Sequence, residues 1–119
     1  MDQLRPKIKV EYVQHAAIAT LTDEKILDES DIRGLAGSIM PLVETSPGVN
    51  LVLDFSNVKF LSSAVLGLLI RISRKIYESD GQFKLCGINP KIHEIFRITR
   101  LDRVFDIHAD RYDAVRSLD

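Results

Sequence analysis

Two adjacent serines, Ser62 and Ser63, stand where an apolar run gives way to a helical period, in the stretch Asn50 to Leu69. A hydroxyl at such a junction can cap a helix or accept a phosphoryl group. Leu51, Val52, Leu53 and Phe55 form a short continuous apolar run, as a strand covered on both faces requires. Val58 and Phe60 then cross the rim. From Ser63 onward Val65, Leu68, Leu69, Ile72 and Ile76 fall on one stripe of an amphipathic helix. Ser62 or Ser63 therefore sits at that helix's N-terminus. Unpaired N–H groups and the positive end of the helix dipole lie there, so a phosphate would be tolerated locally, by about 0.3 to 1 kcal/mol. It would also add roughly 1.5 to 2 negative charges to a surface otherwise made of apolar and hydroxyl groups, so a docked partner would be repelled or forced to desolvate it. That is the physics of an on/off binding switch. Serine is equally suited to be a plain N-cap, and spacing alone leaves both roles open.

The elements that must position this pair follow in a simple order. Ile8 to His15 and Ala16 to Leu21 read as two strands, expected to form a hairpin. Ile32, Leu35, Ala36, Ile39 and Val43 mark an amphipathic helix, opened by the polar cluster Asp28 to Asp31, any of which can cap it. Pro41 is expected to kink that helix or end it early. After the Pro47-Gly48 turn come the central strand, the Ser63 helix to about Ser79, the Asp80-Gly81 turn and a strand from Phe83 to Cys86. Asn89-Pro90 opens a third helix with a favoured cap and a favoured first residue, and Ile92, Ile95, Phe96 and Thr99 supply its inward stripe. A short strand near Phe105 to Ile107 and a last helix from about Arg111 finish the chain. Strands alternating with helices after a hairpin imply an α/β fold, a mixed sheet with helices packed on it.

This succession resembles the STAS domain of the bacterial anti-sigma-factor antagonist (anti-anti-sigma) family. The likeness is carried by the strand, the serine-bearing turn and Leu66-Gly67-Leu68-Leu69. It continues through Asp80 to Cys86, through Pro90 to Phe96, and through Ile98 to Phe105, with Ile26-Leu27-Asp28 similar upstream. The resemblance implies a single STAS-like domain over residues 1–119, with its core at about 8–118. It would hold a mixed four- to five-stranded sheet and about four helices in the order ββαβαβαβα. Family members commonly carry Asp-Ser-Ser-Gly or Asp-Ser-Thr-Gly at this turn, and the first hydroxyl residue after the Asp is phosphorylated. Here Ser63 takes the acceptor position, with Ser62 the second choice. Ser62 replaces the aspartate, and Ala64 and Val65 replace the second hydroxyl and the glycine. By resemblance, the unphosphorylated form binds an anti-sigma factor of the histidine-kinase-like ATPase class and frees a sigma factor. That partner phosphorylates Ser63 and dissociates, and a serine phosphatase resets the switch. ATP and Mg²⁺ belong to the kinase, so no cofactor is expected here. Alternatives are a STAS subunit that scaffolds a larger signalling assembly, or a STAS domain that binds a nucleotide or anion.

Expected partner contacts are Ser62, Ser63, Ala64, Leu66 and Ile70. Leu66, Ile70 and Tyr77 flank the core stripe as a second apolar strip, which serves either a partner or the neighbouring Pro90 to Thr99 helix. Arg71, Arg74 and Glu78 lie opposite the stripe. Asp28, Asp54 and Ser63 would form a nucleotide or phosphate rim if they converge at one edge of the sheet, where α/β proteins often place ligands. Arg97, Arg100 and Arg103 recur every third residue and suit either an acidic partner or a solvated helix end. His15, His93 and His108 have no metal-ligand spacing, and the lone Cys86 falls in a strand, as a buried inert thiol would. No phosphate-binding loop, Gly-x-Ser-x-Gly, His-Glu-x-x-His or Cys-x-x-Cys pattern occurs, so no enzymatic activity is expected. Sixteen Lys and Arg against 17 Asp and Glu are scattered along 119 residues, without the concentrated basic surface nucleic acid demands. No apolar run approaches the roughly 18 residues needed to cross a bilayer, and the first residues lack a signal-peptide centre. A cytoplasmic protein is expected.

Overall fold

The alternation of Ile8 to Leu21 does produce a hairpin. In the computed structural model, which describes residues 7–118, β1 (Ile8–Val13) runs antiparallel to β2 (Ala16–Leu21). Gln14 takes a left-handed conformation, φ 50°, to make the tight turn. Three further strands add in parallel: β4 (Asn50–Asp54) on β2, β6 (Gln82–Cys86) on β4, and β7 (Asp106–His108) on β6. The five-stranded sheet therefore has the order β1-β2-β4-β6-β7.

The inner strands β2, β4 and β6 bury alternate residues on opposite faces, and the two sets sort into separate clusters. Ala17, Ala19, Leu21, Leu51, Leu53, Phe83 and Leu85 pack against α1 (Glu29–Thr45), α2 (Ala64–Glu78) and α3 (Pro90–Ile98) in the main core. On the other face Ile18, Val52 and Cys86 meet Ala114 of the short α4 (Arg111–Arg116). β4 is covered on both faces, which is why its sequence is a continuous apolar run rather than an alternating one.

The starts of α1 and α3 are decided by side chains expected to cap them. Asp28 accepts from Asp31 N at 2.8 Å while the Asp31 carboxylate accepts from Asp28 N, a reciprocal capping box. Asn89 accepts from Ile92 N at 2.9 Å, with Pro90 as the first helical residue.

Three expectations need correction. First, of the kink or early end expected at Pro41, the early end does not occur, and α1 continues to Thr45. The carbonyl that loses its partner is that of Gly37, and Pro41 and Gly37 both lie on the exposed side, open to solvent. Second, two strands were not anticipated: β3 (Lys25–Ile26) and β5 (Phe60–Leu61) form a small parallel pair outside the main sheet. Third, the helix packed beside α2 is α1 rather than α3.

The β3–β5 pair fixes the chain just ahead of the serines. Lys59 N and Phe60 N donate to Glu24 O at 2.8 and 3.0 Å, and Ser62 N donates to Ile26 O at 3.0 Å. From the other side Asn89 Nδ2 donates to Val58 O at 3.1 Å, so one side chain caps α3 and pins the connection before Ser63. Asn89→Ala removes both roles and is expected to lower the unfolding free energy by about 2 kcal/mol. A urea titration checks this, and a loss below a few tenths of a kcal/mol would show that Asn89 holds nothing.

Candidate functional site

Between β4 and α2 the chain keeps its apolar residues inside and its serines at the rim. Phe55, Val58 and Leu61 are buried, whereas Ser63 and Ala64 are exposed. Ser63 already has helical backbone angles, φ −63° and ψ −20°, and its carbonyl accepts from Leu66 N at 3.0 Å. Its side chain makes no capping hydrogen bond. A true cap needs an extended backbone to swing its oxygen onto the following N–H groups, and Ser63 is past that point. Ser62 Oγ is buried and finds no hydrogen-bond partner among the described residues. Neither serine is a plain side-chain cap.

The first turn of α2 carries no acidic residue, so no side chain there neutralises the positive end of its dipole. Around Ser63 the surface is apolar with scattered cations. Phe60 and Leu27 are each 48% exposed, and the Ser62–Ile26 hydrogen bond brings Leu27 beside the serines. Lys25 Nζ lies 5.8 Å from the centroid of the Phe60 ring. Gly67, Arg71 and Arg74 continue the exposed side of α2, with Glu78 on it as expected.

Not every expected contact residue reaches this surface. Leu66 is only 5% exposed and belongs to the main core, so it offers a partner nothing. Ile70 is half-buried against that core and Tyr77 is exposed. Of the second apolar strip, Leu66 is core, Ile70 is half-buried and only Tyr77 is exposed. Sequence reasoning missed Phe60 and Leu27 as surface, because the β-pair beside them has only two residues on each strand and leaves no periodic signal.

Asp28, Asp54 and Ser63 do not line one cavity. Asp28 is engaged in the α1 capping box. Asp54 is buried and accepts from Ser56 N at 2.9 Å and from Arg111 Nε and Nη2 at 3.1 and 2.8 Å. Arg111 also donates to Glu11 at 2.9 Å and to Thr20 Oγ1 at 2.7 Å, and its hydrogen bonds to Glu11 and then Asp54 raise its pKa. Gly87 passes close by with φ 70°, where an added Cβ would stand 2.7 Å from Asp54 Oδ1. Asp54 lines a cavity of about 330 Å³ with Ser56, Gly87 and Arg111, and neither Asp28 nor Ser63 opens into it. Arg111 was not foreseen, because nothing in the sequence links residues 57 positions apart.

The remaining candidates stay apart. Arg97 pairs with Glu94, and Arg100 and Arg103 are exposed. His108 Nε2 lies 3.1 Å from Asp106 Oδ1. Among the described residues no group of His, Cys, Asp and Glu could hold a metal ion. Cys86 is buried, which pushes its thiol pKa up to about 12. Among the described residues no helix is long and apolar enough to cross a membrane.

The sequence model of the STAS domain matches residues 9–114. The chain belongs to the STAS domain family. An anti-sigma F factor antagonist of Paenibacillus polymyxa is 24% identical over 70 residues, 59% of this STAS domain and 60% of that relative. The chain thus spans roughly half to three-fifths of the length of the curated relatives it matches. Among solved structures, an anti-sigma-factor antagonist (STAS) domain protein from Planctomyces limnophilus superposes with a TM-score of 0.84 at 20% identity. It covers 96% of this domain and 98% of that chain. The Bacillus cell fate determinant SpoIIAA, an anti-sigma factor antagonist, shares the fold at 16% identity. Its unphosphorylated form gives a TM-score of 0.73, covering 94% of this domain and 98% of that chain. Its phosphorylated form gives 0.68, covering 93% and 99%.

The geometry makes the serines separable. Ser63→Ala loses no hydrogen bond and is expected to change stability by less than about 0.5 kcal/mol. Ser62→Ala removes an unsatisfied buried oxygen and is expected to leave stability unchanged or raise it by about 1 kcal/mol. A loss of about 1 kcal/mol for either in thermal unfolding would restore the plain cap. Arg111→Ala strands the Asp54 carboxylate and is expected to cost about 3 kcal/mol by the same measurement.

Proposed function

We propose that this STAS domain is an anti-sigma-factor antagonist, and that the exposed surface of Leu27, Phe60, Ser63, Ala64 and Ile70 docks the anti-sigma factor. The observation that carries this reading is the state of Ser63. Its hydroxyl is exposed and spends no hydrogen bond on capping, at an open helix N-terminus set among half-exposed apolar side chains.

Unphosphorylated, the surface offers a partner apolar area and a small hydroxyl. Phosphorylation of Ser63 places a doubly charged group at the same point. The positive end of the helix dipole accommodates it, so the fold survives. A partner seated over Phe60 and Leu27 would have to bury that charge, and binding is lost. The partner is an anti-sigma factor with a histidine-kinase-like ATPase fold, which supplies the ATP and Mg²⁺, and a serine phosphatase restores the hydroxyl. This places the protein in a bacterial cytoplasm, acting as a binding module without catalysis of its own. Ser62 in place of the family aspartate lowers the negative charge beside the acceptor, which alters what the kinase must recognise and leaves the docking surface intact.

Nucleotide binding has less support, because the carboxylates of Asp28 and Asp54 are already engaged by protein donors. Affinity capture from native lysate with wild-type and Ser63→Asp baits, read by mass spectrometry, tests the proposal. Wild type is expected to recover a histidine-kinase-like ATPase and the variant to recover at least about tenfold less, a difference of about 1.4 kcal/mol in binding. Equal recovery would contradict it, and self-association into large particles would favour the scaffold role.

A further inference from the structure

β1 is the outer strand of the main sheet, and no described strand pairs with its free edge. Its six residues, Ile8 to Val13, contain no proline, and four of them are apolar. Val10 is 37% and Tyr12 73% exposed, both large apolar side chains at an open edge. Natural sheets usually blunt such an edge, because its unpaired N–H and C=O groups are a template for another strand.

The hydrogen-bond phase of β1 is fixed by its hairpin. Thr22 N donates to Lys7 O across the ladder at 3.1 Å, and the register pairs Ile8 with Leu21 and Val13 with Ala16. By alternation Lys9, Glu11 and Val13 turn their backbone groups toward β2, whereas Ile8, Val10 and Tyr12 turn theirs outward. We infer that two copies of this chain pair antiparallel through β1, in a register centred on Val10.

Both the backbone and the charges select that register. Outward-facing residues must meet outward-facing residues, so Val10 pairs with Val10 of the second copy and Ile8 with Tyr12. Lys9 then stands opposite Glu11 of the second copy, twice over by symmetry, in the closely spaced pairs where side chains interact most. Slipping by two residues either way puts Lys9 against Lys9 or Glu11 against Glu11, which repel. Arg111 Nη1 holds Glu11 through one oxygen, Oε2, at 2.9 Å, and a carboxylate can accept a second cation. The paired strands also cover Tyr12 with Ile8 of the other copy. A ladder of the five residues Ile8 to Tyr12 is small by the standard of stable complexes, so the dimer is weak and concentration-dependent.

Sedimentation velocity across the micromolar range tests this, together with zero-length carbodiimide cross-linking of isotope-labelled chains mixed with unlabelled ones. Wild type is expected to shift from monomer to dimer and to yield a Lys9–Glu11 amide joining labelled to unlabelled chains. Val10→Pro removes an outward N–H and no bond to β2, so it is expected to abolish the dimer while circular dichroism stays native. Lys9→Glu, at an exposed position, is expected to raise the dimer dissociation constant at least about tenfold, and it serves alone if the proline variant fails to fold. A wild-type chain that stays monomeric, a dimer untouched by Lys9→Glu, or the absence of the cross-chain amide would overturn the inference.

Discussion

The arrangement depends on the burial of Phe55, Val58 and Leu61 beneath the connection between β4 and α2. These side chains are not part of the regular sheet, yet each is drawn under the loop, and together they leave the chain little freedom over where Ser62 and Ser63 emerge. Three backbone hydrogen bonds to Glu24 and Ile26 and one side-chain bond from Asn89 then fix the strand before the serines. A site that must be read by another protein needs this rigidity, because any looseness in the loop would be charged against binding as ordering entropy.

Asp54 and Ser63 handle charge in opposite ways. At Asp54 the buried carboxylate is met by Arg111, which also reaches Glu11 and Thr20, so the ion pair ties α4 to β1, β2 and β4. That network is internally satisfied, and removing one member leaves an uncompensated charge. At Ser63 no side chain of the first turn answers the helix dipole. An added anion is therefore accepted at Ser63 without disturbing the packing below. Within the serine pair the division is equally physical: Ser62 points its oxygen inward and Ser63 stands in solvent.

Much of this was legible in the amino-acid order. The continuous run of β4, the stripe of α2, the Asp28 cluster and Asn89-Pro90 each carry a local signal whose meaning does not depend on distant residues, and the chain folds accordingly. What was hidden depends on tertiary placement. β3 and β5 hold two residues each, too few for any period to register. Pro41 reads as a breaker until its exposed position shows that the freed carbonyl is open to solvent. Leu66 reads as a flank of the helix, yet it is buried in the main core, a placement that only the packing of α2 decides. The Asp54–Arg111 pair joins chain segments that no spacing rule relates.

A single mass-spectrometric measurement reaches furthest: the chain isolated from its own cells, digested with trypsin, and the peptide Phe60 to Arg71 fragmented by electron transfer to separate the adjacent serines. A phosphorylation-gated docking surface predicts phosphate on Ser63, whose hydroxyl is exposed, and none on Ser62, whose oxygen is enclosed. Phosphate on Ser62, or an unmodified peptide in cells where the partner is free of the protein, would contradict it.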